Sequence, residues 1–323
     1  DIVKFWNYIF PIINGYRKNM TDLVTDVKSL ELQTLKNLKS SKATNTLRAY
    51  KADYKDFASF CIKNGFKPMP SEVKIITLYL THLSKSCKFS TLKRRLASLS
   101  VIHKLSGHYI DIKHPMITEN LMGIKRILGS YQKAKKPILI NDLKLIINTI
   151  DKDKNEKSRF RNRSLILVGF AGGFRRSELV AILYEDVDFV PEGVKIFVKR
   201  SKTDQSGEGM TKGIPYFSNP DYCPVISLKN WIEKSEIKSG KIFDMSDKSV
   251  ALTVKKYTAL AGLDSNKYSG HSLRSGFATS TAELGAEERS IMAMTGHKTT
   301  QMVRRYIQEA NLFKNNALNK IKI

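Results

Sequence analysis

Short stretches in the second half of the chain carry side chains suited to work on an anion. Gly173-Phe174-Arg175-Arg176-Ser177-Glu178-Leu179 sets two guanidiniums just after a glycine pair. His271-Ser272-Leu273-Arg274 spaces an imidazole and a guanidinium at i, i+3. On a helix that spacing projects both from one face. Gly296-His297 precedes another helical stretch, and Tyr306 lies nine residues beyond His297, in Val303-Arg304-Arg305-Tyr306. A planar guanidinium fork binds two oxygens at once and stays protonated, so Arg175 and Arg274 suit an oxyanion better than lysine would. A phenol has an unperturbed pKa of about 10 and needs help to lose its proton at neutral pH. Each signal alone has an ordinary structural explanation: a satisfied histidine, or a tyrosine packed into a core.

Charge gives the set a context. The 323 residues include 55 Lys and Arg against 30 Asp and Glu, a formal charge of +25. Self-repulsion at that level works against the compact state, and a polyanionic partner explains it better than solubility does. The hydrophobic content of 41% supports a folded chain, and the length is that of roughly two domains. An anionic membrane is a poor partner. The longest apolar stretch, Leu165 to Phe174, is ten residues with three glycines, where a spanning helix needs about twenty. Cys61, Cys87 and Cys223 are too few and too scattered for a disulfide framework or a thiolate metal site, which predicts isolated thiols in a reducing, intracellular compartment.

The elements that must hold these residues are legible from periodicity. Residues 1–39 read as an N-terminal extension, and 40–130 as helical. Leu47, Tyr50, Tyr54, Phe57, Phe60 and Cys61 form one amphipathic stripe. A second helix starts near Ser71, with Ser71 or a neighbour as its cap and Ile75, Leu78, Tyr79 and His82 on one side. A third, from Ser90-Thr91, buries Leu92, Leu96, Leu99 and Ile102 and carries Lys93, Arg94 and Arg95 on its other face. The fourth runs through Leu121, Ile124, Ile127 and Leu128 with Lys125 and Arg126 outward. Two basic outer faces in so cationic a chain point to DNA. Residues 131–138, with Lys135, Lys136 and Pro137, read as a basic linker able to lie along a phosphate backbone. The remainder, 139–323, is mixed. Asn141-Asp142 caps a helix, and 164–174 is a buried helix ending at Gly172-Gly173. Val194, Ile196 and Val198 alternate with Lys195, Phe197 and Lys199 as a short strand, and Gly213 to Phe217 is the returning one. Helices follow at about 225–236, 249–262, 272–284, 287–295 and 299–309.

As an ordered set, these residues resemble the tyrosine recombinase/integrase family, the group that contains Cre and the Xer recombinases. The likeness covers residues 40–312 and is densest at Gly173–Leu179, Arg200–Gln205 and Ser269–Tyr306. The family box Gly-Leu-Arg-x-Ser-Glu-Leu stands here as Gly173 to Leu179, and spacing to Ser177-Glu178 assigns the arginine to Arg175, with Arg176 adjacent. His-x-Leu-Arg matches His271 and Arg274, and Leu-Gly-His appears as Thr295-Gly296-His297. The nucleophile position matches Tyr306. The family's lysine sits in a β-hairpin turn, where Lys202 falls, with Lys199 and Arg200 nearby.

The resemblance implies a mainly α fold with a small antiparallel β-sheet, made of an N-terminal helical core-binding domain (40–130) and an α+β catalytic domain (139–323). It implies that Arg175, Arg274 and His297 bind the scissile phosphate of DNA, and that Tyr306 attacks phosphorus. His271 is then the general base, Lys202 the general acid, and Glu178 a supporting residue that orients Arg175 or His271, or equally a plain salt-bridge partner. The product is a 3′-phosphotyrosyl link, made without metal, cofactor or ATP. The implied partner is double-stranded DNA with specific recombination sites, bound by a homo-tetramer with a dimer per site. The implied location is the cytoplasm, at the nucleoid in a bacterium, or the nucleus in a eukaryote. An apolar stripe after Tyr306 (Ala310, Leu312, Phe313, Ala317, Leu318, Ile321) reads equally as a helix on its own domain or a contact to a neighbouring subunit. The competing readings are a type IB topoisomerase, with the same attacking group, and a DNA-binding protein without catalysis.

Overall fold

The structure is a computed structural model of the whole chain; it describes residues 27–129, 134–199, 208–310 and 317–321. The chain divides at 132/133 into two compact units.

The described part of the first unit is helical. α1 (Val27–Ser40) lies mostly within the expected extension and exposes Leu30 and Leu32. α2 (Thr44–Lys63), α3 (Val73–Ser84), α4 (Phe89–Leu105) and α5 (Pro115–Leu128) close around Phe57, Cys61, Tyr79, Leu92, Leu99 and Ile117. Pro115 suits the first turn of α5, where its missing N–H is unneeded, and the His114 ring accepts the Met116 N–H as a cap. α3 differs from expectation in its buried face. Its cap position is Glu72, the neighbour of Ser71, and it buries Ile76, Tyr79, Leu80 and Leu83, while Leu78 is exposed. Apolar residues occur on every side of 75–80, so periodicity there fits two faces. The tertiary contact decides: the Tyr79 and Phe57 rings meet edge-on at 5.0 Å.

Two of the three basic residues of α4 face outward. Lys93 and Arg94 are exposed, as expected, and Arg94 also pairs with buried Asp53. Arg95, expected outward, is half-buried. It pairs with Asp56 and donates to the Tyr79 hydroxyl at 2.7 Å. The carboxylates of α2 draw it inward, because a buried charge needs a partner. Lys125 and Arg126 on α5 are exposed, as expected.

The second unit opens with residues 134–139, which include the end of the expected linker 131–138 and are docked on the unit. The Lys136 N–H donates to Lys267 O at 2.7 Å, the Ile138 N–H to Ser272 O at 2.9 Å, and Ile138 is fully buried. Lys135 Nζ donates to Asn266 O at 2.5 Å, and Lys136 pairs with Asp142 at 3.1 Å. α6 (Ile140–Ile150) follows. Its cap position is Leu139, and Asn141 and Asp142 fall in its first turn instead. α7 (Glu156–Ala171) starts at an Asn155 side-chain cap and ends at Gly172. Gly173 then takes φ 54°, a left-handed backbone that glycine adopts without a Cβ clash. The four-residue α8 (Arg176–Leu179) leads to an antiparallel sheet of β1 (Val187–Val190), β2 (Gly193–Val198) and β3 (Met210–Pro215), in that order. β2 buries Val194, Ile196 and Val198 as its alternation predicts, and pairs Ile196 with Lys212 and Val194 with Ile214. β1 was not foreseen: it is four residues long, with Asp188 and Phe189 exposed at its centre and no alternation to read. α9 (Pro224–Ser235), α10 (Asp247–Leu260), α11 (His271–Glu283), α12 (Glu288–Thr295) and α13 (Thr300–Ala310) complete the unit, near the expected positions. The expected tail stripe lies largely outside the described residues, and Leu318 and Ile321 are exposed. Among the described residues, no helix is long and apolar enough to cross a membrane.

Candidate active site

The end of α7 positions Arg175. The tight turn at Gly172 and Gly173 delivers it to the start of α8, where Glu178 holds it twice. The Arg175 N–H donates to Glu178 Oε2 at 2.9 Å, and Nη1 donates to Oε1 at 2.6 Å. Glu178 is buried, so this carboxylate fixes both backbone and guanidinium. Arg176 instead faces solvent, 3.9 Å from Asp247.

Arg274 sits in the first turn of α11 and is only 1% exposed. Its Nη1 donates to Gly173 O at 2.9 Å, while its buried Nη2 has no hydrogen-bond partner among the described residues. Burial, then the Arg175 charge, lowers its pKa to about 10. His271 begins the same helix. The i, i+3 spacing gives it the same side as Arg274, with Nε2 3.5 Å from the Tyr306 hydroxyl. Desolvation by surrounding protein, then Arg274, Arg175 and Arg176, holds its pKa below the ordinary imidazole value.

His297 follows Gly296, the left-handed cap of α12 at φ 62°. Its ring is buried, with Nδ1 2.8 Å from Thr295 Oγ1. The Thr295 hydroxyl proton is committed to Ile291 O at 2.6 Å, so Oγ1 accepts and Nδ1 carries the hydrogen. Burial, then Arg274, Arg175, His271 and Lys212, pushes this imidazole down to about 4. In the anion-free protein His297 is therefore neutral, with Nε2 unprotonated. α13 packs Val303 against Ala278 and Ile291 and brings the Tyr306 ring to 6.1 Å from that of His297.

Arg175, Glu178, His271, Arg274, His297 and Tyr306 thus converge on one place. Lys202 and Arg200 lie outside the described residues, and Lys199 is an exposed partner of Asp186 at 2.8 Å. Lys93, Arg94, Arg95, Lys125 and Arg126 belong to the first unit, and Lys135 and Lys136 to the docked segment before α6. No group of His, Cys, Asp and Glu able to hold a metal occurs among the described residues.

One member of the cluster escaped the sequence. Lys212 of β3 is 1% exposed, and its Nζ donates to Gly172 O at 2.7 Å and to Met294 O at 2.5 Å. Burial brings its pKa down to about 7, with Glu178 opposing and Arg274 and Arg175 adding to the fall. The available signal was its place two residues before Ile214, which puts a lysine on the inward face of a strand.

A buried guanidinium (Arg274), a half-buried one held by a carboxylate (Arg175), a neutral imidazole and an adjacent phenol make an arrangement able to bind an oxyanion and take a proton from the phenol. Known proteins carry a related chain. Residues 138–312 match the phage integrase family. An integrase/recombinase xerD homolog of Selenomonas ruminantium is 42% identical over 97% of this chain and 96% of its own. Among solved structures, the XerH site-specific recombinase bound to palindromic difH substrate superposes with a TM-score of 0.63 at 19% identity, covering 84% of this chain and 80% of that one. A lambda integrase tetramer bound to a Holliday junction gives 0.56 at 19% identity, covering 99% and 89%. At that identity the likeness is one of fold.

Proposed function

Because the chain belongs to the phage integrase family of tyrosine recombinases, we propose that the cluster around Arg274 is its catalytic centre and performs site-specific strand transfer on duplex DNA. Arg175 and Arg274 take the non-bridging oxygens of the scissile phosphate. Fixed donors of this kind are worth roughly 3–4 kcal/mol each to the transition state. His271, neutral at physiological pH, accepts the Tyr306 proton as the phenolic oxygen attacks phosphorus. The bond to the 5′-oxygen breaks, and Lys202 protonates that oxygen. His297 donates from Nε2 once it gains a proton, which the arriving anion favours by offsetting Arg274 and Arg175. A 3′-phosphotyrosyl bond and a free 5′-hydroxyl result. The covalent bond keeps the phosphodiester's energy, so rejoining to the same or another strand needs no ATP. No step uses a metal or cofactor.

In this reading residues 40–130 form the core-binding domain, and Lys93, Arg94, Lys125, Arg126, Lys135 and Lys136 contact phosphates. A homo-tetramer assembles on two recombination sites, with a dimer on each; the lambda integrase tetramer on a Holliday junction supports that arrangement. The relative from Selenomonas supports a cytoplasmic, nucleoid-associated location in a bacterium.

The observation that carries the proposal is the Tyr306 hydroxyl, 3.5 Å from His271 Nε2 beside the buried Arg274. Incubation with duplexes from the flanks of its own gene should give a protein–DNA adduct that survives a denaturing gel. Tyr306→Phe should bind the same duplexes and form none. Adduct from the variant at the wild-type level would defeat the assignment.

A further inference from the structure

Lys212 has no task in that scheme, yet a buried ammonium is costly unless something holds it. The carbonyls that hold it are informative. Gly172 caps α7 three residues before Arg175, and Met294 lies in the last turn of α12 three residues before His297. Helix C-termini present unpaired carbonyls and partial negative charge. Here two of them converge on a single ammonium, whose rotatable donors reach both. Its remaining side lies over the Phe174 ring, 4.4 Å from the centroid. The next carbonyl along, Gly173 O, is taken by Arg274. Successive carbonyls of one turn are thus each set by a cation, one from β3 and one from α11.

We propose that Lys212 is a positioning residue for strand transfer: its ammonium ties the turn bearing Arg175 to the turn bearing His297 and holds both beside Arg274. The proposal rests on reading this cluster as the catalytic centre. An apolar side chain at 212 could fill the same space but would leave the Gly172 and Met294 carbonyls without their donor. The two turns would then drift independently. A misplacement of about 1 Å costs on the order of 100-fold in rate.

The test is single-turnover cleavage of an adduct-forming duplex from the gene flanks by wild type, Lys212→Met, His297→Ala and the double variant, with DNA affinity and thermal unfolding measured alongside. Lys212→Met should cleave at least tenfold more slowly while its Kd for the duplex stays within twofold. In the His297→Ala background the same change should cost at least threefold less than it does in the wild type, because one of the two turns it ties has already lost its working side chain. Cleavage by Lys212→Met at the wild-type rate, or a full independent penalty in the double variant, would overturn the proposal alone. Absence of adduct from the wild type would overturn the reading beneath it and the proposal with it. If Lys212→Met lacks a cooperative unfolding transition, Lys212→Gln, one bond shorter and so able to keep a donor on one carbonyl but not to tie both, takes its place under the same expectations. Failure of both to fold would make Lys212 a core residue and overturn the proposal.

Discussion

Arg274 concentrates the physics of the site. A guanidinium that is 1% exposed, with Nη2 unpartnered among the described residues, has lost its water without full compensation. Its neighbours Arg175 and Lys212 add like charge, and Glu178 is the carboxylate that opposes them. In the proposed scheme such a centre receives the arriving anion. Burial, then the same field, holds the His271 imidazole below its ordinary value, which is what a base for Tyr306 requires. A pKa held below 6.5 leaves the imidazole unprotonated above that pH and protonated only in acid. The kcat/KM for covalent cleavage should therefore rise with pH, reach its midpoint below about 6.5, and level off by neutrality. A midpoint above 7 would remove His271 from the role. Arg175, Arg274, His271 and His297 were legible because they stand in short boxes whose order resembles the family's, and one turn of helix fixes the spacing of His271 and Arg274. Lys212 and Thr295 were not. Lys212 acts on carbonyls 40 and 82 residues away, and Thr295 matters only through the direction of one hydroxyl proton.

At the scale of elements, the helices around the site were readable from apolar stripes and glycine stops, since those signals are local. β1 was too short to show alternation, and the burying face of α3 needed its contact with Phe57. The docking of the basic segment before α6 was not legible for a related reason. Its charges read as a connector, and its backbone is bound to Lys267 and Ser272, partners more than a hundred residues away in sequence. Gly276 makes that docking possible. A Cβ there would meet Ile138 O at 2.0 Å, inside any tolerable contact and against backbone that has little freedom to move. Gly276→Ala should lower stability by about 1–3 kcal/mol, by the usual cost of overpacking, read as a fall in the denaturation midpoint. It should also slow cleavage, because the strain falls on the helix that carries His271 and Arg274. An unchanged midpoint would contradict the docking of residues 134–139.

For the molecule as a whole, the +25 charge sets the long-range behaviour. Binding to duplex DNA should weaken steeply with salt, with a log–log slope of about −0.9 per phosphate neutralised. Replacing Lys125 and Arg126 by glutamine should make that slope shallower by up to about 2. A flat salt response would leave the charge without its explanation. The central claim concerns a single oxygen, and protease digestion of the trapped adduct followed by mass spectrometry tests it most directly. The nucleotide should be found on the peptide containing Tyr306. The other tyrosines of the second unit near in sequence are poorly placed, since Tyr257 and Tyr268 are buried and bonded to Asp153 and Asp142. A phosphotyrosyl nucleotide on Tyr257, Tyr268 or any residue other than Tyr306 would contradict the account.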